Sequence, residues 1–113
     1  MNARVQAQWT AVCRYDDIIP ERGIAVLVDG VAIAVFRTYD GRLHALSNID
    51  PFSKASVLSR GIVGDRGGRA TVASPIYKQV FELATGICFD DPAVSVPTYP
   101  VRLVNGVVEV GSS

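Results

Sequence analysis

Few residues in this chain have side chains suited to catalysis or metal binding. His44 is the only histidine, so a Ser-His-Asp triad would need it, but the surrounding RLHAL predicts a partly exposed strand residue. Cys13 and Cys88 form no C-x-x-C pair, and we expect packed thiols rather than a disulfide or, with His44, a zinc site. Asp90 and Asp91 precede a proline, which favours a turn over a metal or acid–base pair.

Two longer segments stand apart from the rest of the sequence. They are NIDPFSKASVLSRG (48–61) and VASPIYKQVFELATG (72–86). In order and spacing they resemble the two cluster-binding loops of Rieske [2Fe–2S] domains, which carry C-x-H and C-P-x-H-G-x-x-F-x-L-x-T-G. The second segment keeps the frame of that pattern at Pro75, Phe81, Leu83, Thr85 and Gly86.

The cluster ligands themselves are not retained. By this resemblance Asn48 and Asp50 stand at the Cys and His positions of the first loop, and Ser74 and Tyr77 at those of the second. Lys78 replaces the glycine that follows the second histidine. A Rieske cluster needs two Cys and two His, whereas this chain has one histidine and neither of its cysteines lies in these loops. We therefore expect no metal and no cofactor on this chain.

One family combines a Rieske-like frame with this loss of ligands. From about Trp9 to Val110 the chain resembles the small subunits of cytoplasmic NAD(P)H-dependent nitrite reductase, most specifically in IDPFSKASVLSRGIV and VASPIYKQVFELATGICFDD. The resemblance implies a large-subunit partner that carries FAD, a [4Fe–4S] cluster and sirohaem and reduces nitrite to ammonia in nitrate assimilation. It also implies that this subunit has no catalytic residue of its own.

Two other function classes compete with that interpretation. A ferredoxin-like electron carrier would need the missing cluster ligands. A protein-interaction module unrelated to nitrite remains open at this point, because a fold does not determine a function. The presence or absence of a large-subunit partner distinguishes the module from the reductase subunit.

The resemblance also indicates where a partner would bind. In a Rieske domain the two loops meet at an exposed tip, which here would bring together aromatic rings and cations suited to an interface. The candidate interface residues are Asp50, Pro51, Phe52, Lys54, Pro75, Tyr77 and Lys78. The alternative is that Phe52 and Tyr77 fill the space a cluster would occupy, because an empty cavity would cost stability.

The elements that must position these loops are predicted to be strands. The chain has 17 Val and 8 Ile against 6 Leu, and β-branched residues favour strands over helices. Asp29-Gly30 and Asn105-Gly106 each separate two apolar runs and predict hairpins with type I′ turns. Three prolines between Asp90 and Pro100 exclude a central strand there.

These signals give an all-β fold class: a Rieske-like, two-part antiparallel β-sandwich without a cluster. We expect nine or ten short strands in a single domain over 1–113, with a cluster-loop-like subdomain at about 47–88. The larger sheet is expected to use both ends of the chain.

Composition and charge exclude several function classes. The chain has 113 residues, 49% of them hydrophobic and 19% charged, which is typical of a folded domain rather than a disordered segment. Eleven basic residues balance eleven acidic ones, so a nucleic-acid partner is not expected. No apolar run reaches the roughly 20 residues of a membrane helix, and the first residues lack a signal-peptide pattern. We therefore expect a cytoplasmic protein with no membrane partner.

Overall fold

The computed structural model describes residues 8–111, which form ten antiparallel strands. Two short 3₁₀ turns, at Tyr15–Asp17 and Leu58–Arg60, interrupt them. The predicted strand count and all-β class are confirmed. The strands are β1 (Trp9–Arg14), β2 (Arg22–Val28), β3 (Val31–Arg37), β4 (Leu43–Ser47), β5 (Ile62–Arg66), β6 (Arg69–Ala73), β7 (Val80–Glu82), β8 (Thr98–Tyr99), β9 (Val101–Val104) and β10 (Val107–Gly111).

The strands are arranged in three sheets. Their orders are β1-β10-β9, β2-β3-β4-β8 and β5-β6-β7. The prediction that the larger sheet uses both ends of the chain is wrong, because β1, β9 and β10 form a three-stranded sheet of their own. Pro100 lacks an N–H and separates the two-residue β8 from β9, so the chain changes sheets there.

The two predicted hairpin turns are confirmed by their backbone angles. Asp29 and Gly30 have φ of 51° and 79°, and Asn105 and Gly106 have φ of 50° and 79°. A type I′ turn needs positive φ at both central residues, which Asn, Asp and Gly tolerate best. These turns fix the register of β2 with β3 and of β9 with β10.

The central sheet is buried on both faces, so β3 is apolar without alternation. Ala34 and Phe36 belong to a first core, together with side chains of β6, β7 and the second 3₁₀ turn. Ile33 and Val35 belong to a second core, together with Val108 and Val110 of β10. Burial on both faces explains a continuous run such as VAIAVF.

The segment between β4 and β6 contains the second 3₁₀ turn and a hairpin. The 3₁₀ turn lies at Leu58–Arg60. The hairpin of β5 and β6 turns on Gly67 and Gly68, which have φ of 61° and 85°, while residues 64–66 pair with β6. The single domain over 1–113 and its subdomain at about 47–88 stay predictions, and residues 1–7 and 112–113 lie outside the described part.

A search of residues 8–111 for a helix long and apolar enough to cross a membrane found none.

Candidate functional site

The two singled-out loops meet, as the sequence predicts. The Ser74 hydroxyl donates a hydrogen bond to Oδ2 of Asp50, which joins residues 24 positions apart. Both side chains are buried, with relative exposures of 0% for Asp50 and 1% for Ser74. We call the segments 48–56 and 74–79, held together by this bond, the tip.

Each loop is shaped locally by the side chain that begins it. Oδ1 of Asp50 accepts the N–H of Phe52 at 2.8 Å and that of Ser53 at 3.4 Å, and Oγ of Ser74 accepts the N–H of Ile76 at 3.3 Å. Side-chain oxygens that bond to the backbone two residues ahead are typical of Asx and ST turns. Both loops therefore turn at Asp50 and Ser74, two of the residues that stand at ligand positions by the resemblance.

Asn48 completes this buried polar network. Its Nδ2 donates to Oγ of Ser56 at 2.8 Å, and its Oδ1 accepts the N–H of Ser59 at 2.7 Å. The polar groups of Asn48, Asp50 and Ser74, at three of the four positions that resemble ligand positions, are thus satisfied within the protein, as buried polar groups must be. Tyr77, at the fourth, is 59% exposed.

The ionisation of Asp50 follows from the same contacts. Burial alone would raise the pKa of this carboxyl, but hydrogen bonds from Ser74 and from the N–H groups of Phe52 and Ser53 hold the pKa below its ordinary value. Asp50 is therefore a carboxylate at neutral pH. Its charge is stabilised by donors rather than by a cation.

These residues do not fit a [2Fe–2S] cluster. No sulfur or imidazole faces the space between the loops at positions 48, 50, 74 or 77, and three of those side chains are already hydrogen-bonded to protein. Cys88 lies in the first core and Cys13 packs against the second, so they do not converge with His44. Within residues 8–111 no three His, Cys, Asp or Glu side chains are placed to hold a metal ion.

The exposed surface of the tip is apolar and basic. Tyr77, Lys54 and Lys78 are exposed, as the interface prediction requires, and Pro51 and Pro75 are half-buried. Asp50 does not belong to this surface, since it is buried; that part of the prediction is wrong because Ser74 supplies the partner that a buried carboxylate needs. Sequence reasoning missed two exposed apolar residues within these segments, Ile49 (38%) and Ile76 (45%).

Phe52 and Tyr77 have different environments. Phe52 is half-buried against the first core, with its ring centroid 6.2 Å from that of Phe81. Phe52 therefore fills space between the loops, whereas Tyr77 does not.

We expect Phe52→Ala to lower the free energy of unfolding by about 2 kcal/mol, roughly half the cost of a fully buried phenylalanine. Tyr77→Ala, which removes an exposed ring, should change it by less than about 0.5 kcal/mol. Urea denaturation followed by circular dichroism measures both. Equal losses in the two variants would contradict the assignment.

The remaining candidate residues have structural roles. His44 lies on β4, half-buried, as predicted; burial lowers its pKa, against the opposing effect of Asp40. His44 lines a cavity of about 600 Å³ together with four acidic residues, of which Glu82 is paired with Arg69 at 2.8 Å and Asp40 with Arg42 at 3.5 Å. Asp91 accepts the backbone N–H of Ala93 two residues ahead, which agrees with the predicted turn, and Asp90 accepts that of Val80 on β7.

Comparison with known proteins agrees with this geometry. Residues 8–111 match the profile of the Rieske-like [2Fe–2S] domain. A nitrite reductase (NADH) small subunit from Salmonella typhimurium is 45% identical over 105 residues, which cover 92% of this chain and 97% of that protein. The crystal structure of a protein described as an NADH-dependent nitrite reductase small subunit from Mycobacterium tuberculosis superposes with a TM-score of 0.93, at 55% identity over 96% of this chain and 98% of that one.

One relative is much longer than this chain. A nitrite reductase [NAD(P)H] large subunit from Klebsiella oxytoca is 42% identical to it over 104 residues, which cover 92% of this chain and 11% of that protein. In that protein a domain like this one is part of the same polypeptide as the rest of the large subunit.

Proposed function

Because the chain belongs to the Rieske-like [2Fe–2S] domains and, among them, to the nitrite reductase small subunits, we propose that it is the non-catalytic small subunit of an NAD(P)H-dependent nitrite reductase. It forms part of an oxidoreductase through a large subunit that reduces nitrite to ammonia. FAD, the [4Fe–4S] cluster and sirohaem are all carried by that partner. The complex serves nitrate assimilation in the cytoplasm.

The observation that carries this proposal is the hydrogen bonding of the side chains at the positions that resemble cluster-ligand positions. A Rieske frame is kept, but the side chains that would hold iron are hydrogen-bonded to one another and to the backbone. A domain of this kind has no group through which to pass electrons. Its contribution to a redox partner is therefore a binding surface. In the Rieske fold the exposed part of that surface is the tip.

We place the contact with the large subunit on the tip. Its exposed aromatic ring is a residue type that anchors interfaces, and its two cations can steer the encounter and fix the register. The Klebsiella relative supports the pairing, since it unites a domain of this kind with a large subunit in one chain. The contact residues are Pro51, Lys54, Pro75, Tyr77 and Lys78, whereas Phe52 packs against the first core.

The test is the affinity of the purified chain for the nitrite reductase large subunit from the same cells. We expect Tyr77→Ala to weaken binding about tenfold or more, as loss of an interface aromatic does, with an unchanged melting temperature. Tyr39→Ala is the matched control, because Tyr39 is 78% exposed and lies outside the tip. Nitrite-dependent NAD(P)H oxidation by the mixture should follow the affinity.

Three results would contradict parts of this proposal. If the Tyr77→Ala variant binds the large subunit as tightly as the wild type does, the tip is not the contact surface. A wild-type chain that neither binds the large subunit nor affects its turnover would remove the subunit assignment, and near-stoichiometric iron in the purified chain would remove the non-redox role.

A further inference from the structure

The two loops of the tip have the same backbone conformation. In the first, the N–H of Lys54 donates to the carbonyl of Asp50 at 2.7 Å, and in the second that of Lys78 donates to Ser74 at 3.1 Å. The first residue of each loop donates its own N–H to the residue after the lysine, Ala55 at 2.8 Å and Gln79 at 2.9 Å. Asp50-Pro51 through Ala55 and Ser74-Pro75 through Gln79 are thus a structural repeat, joined at its equivalent first residues by the Asp50–Ser74 bond.

A lysine occupies the same strained position in both copies of the repeat. Lys54 and Lys78 each have φ of 65°, a left-handed conformation that glycine adopts at less cost than lysine. They are the only two lysines in the chain, where the nine other basic residues are arginines. Glycine would relieve the backbone strain at both sites, so each lysine is present at a cost to the backbone.

Both ammonium groups are available to a partner. The two side chains are exposed, and the ion pairs formed within residues 8–111 are all made by arginines: Arg42 with Asp40, Arg69 with Glu82 and Arg102 with Glu109. The carboxylate nearest in sequence to each lysine already has a partner: Asp50, four residues before Lys54, is bonded to Ser74, and Glu82, four residues after Lys78, is paired with Arg69. The tip therefore carries two positive charges with no exposed carboxylate among its residues 48–56 and 74–79.

We infer that Lys54 and Lys78 are a matched pair of docking cations that bind two carboxylates on the large subunit, one for each loop. A protein surface is favoured over a small anion because both lysines are exposed, whereas small ligands bind in concave sites that bury most of their surface. The inference rests on the proposed function. To the proposed function it adds that the partner's contact surface is acidic, and that Lys54 and Lys78 set the register of the two proteins.

The pairing is tested by replacing each lysine with glycine. Lys54→Gly and Lys78→Gly remove the charge while easing the backbone, so the melting temperature should hold or rise as the affinity for the large subunit falls. We expect about a threefold loss at low salt for each variant and about tenfold for both together, the range of exposed ion pairs. The double variant should also lose most of the salt dependence of binding.

Two control variants separate charge from backbone. Glu21→Gly relieves the same backbone strain, at a residue with φ of 66° outside the tip. It should leave the affinity for the large subunit unchanged. Lys54→Arg with Lys78→Arg keeps both charges and should bind within about twofold of the wild type. In the wild-type complex, a carbodiimide that joins amines directly to carboxylates should link Lys54 and Lys78 to acidic residues of the large subunit.

The outcomes are distinguishable from failure of the proposed function. If the wild type binds the large subunit but the double glycine variant binds equally well with the same salt dependence, the pairing is overturned while the subunit assignment stands. Absence of both carbodiimide links in a complex that forms would overturn it too. A wild type that does not bind at all contradicts the proposed function itself.

Discussion

Gly86→Ala is expected to destabilise the protein by more than about 4 kcal/mol, a large part of the stability of a domain of this size. Gly86 has φ of +77°, and a Cβ built on it would lie 2.1 Å from the carbonyl oxygen of Val96. That segment cannot move away freely, because the N–H of Val96 donates to the carbonyl of Gly86 at 2.9 Å. The backbone strain of alanine at a positive φ and the overlap of its Cβ with the Val96 oxygen therefore both lower the free energy of unfolding.

The matched control is Gly106→Ala. Gly106 has nearly the same φ, +79°, but a Cβ there would meet nothing within 4 Å. Its substitution should cost only the backbone strain, about 1 kcal/mol. Urea denaturation compares the two, and similar losses in both variants would show that the close approach of Val96 is not what requires glycine at position 86.

Ser74→Ala should have the second largest effect, a loss of about 3 kcal/mol. The change removes the donor to Oδ2 of Asp50 and leaves part of a buried carboxylate without a partner. Ser95→Ala, at an exposed serine, is the control and should be neutral. Stability measured for Ser74→Ala, Asp50→Asn and the double variant gives the coupling between the loops, which should exceed about 1 kcal/mol.

The same bond predicts a pH dependence. The pKa of Asp50 is lower in the folded protein than its ordinary value, so its ionised form stabilises the fold above that ordinary value. This contribution is lost as the pH falls below about 4 and through the folded pKa. Asp50→Asn should flatten the acid side of the stability profile relative to the wild type; identical profiles would mean that Asp50 is not held as a carboxylate.

Local signals predicted the elements better than their assembly. Asp29-Gly30 and Asn105-Gly106 select turns by their own backbone preferences, so both hairpins could be located from the sequence. Which sheet a hairpin joins depends on pairing with distant strands, such as β10 with β1, and no local pattern encodes that. The prediction for the larger sheet was wrong for this reason.

In the candidate site, too, local features were predictable from the sequence and long-range contacts were not. Counting cysteines and histidines was enough to remove the cluster, because ligand chemistry does not depend on the fold. The burial of Asp50 could not be seen, since its donor is a serine 24 residues away. The repeat of the two loops was also hidden, because only proline and lysine recur in DPFSK and SPIYK while the shared feature is a backbone conformation.

The pairing of β1 with β10 has a consequence for how such a domain is attached. Trp9 is the register partner of Gly111, so the described chain enters and leaves the fold side by side, in the sheet of the second core. A longer polypeptide can therefore hold the domain at a single point, without a connection crossing the loops that pack on the first core. Such a domain can use the same contact surface whether it is part of a large protein or a separate subunit. The two arrangements differ chiefly in the effective concentration of the domain at its partner.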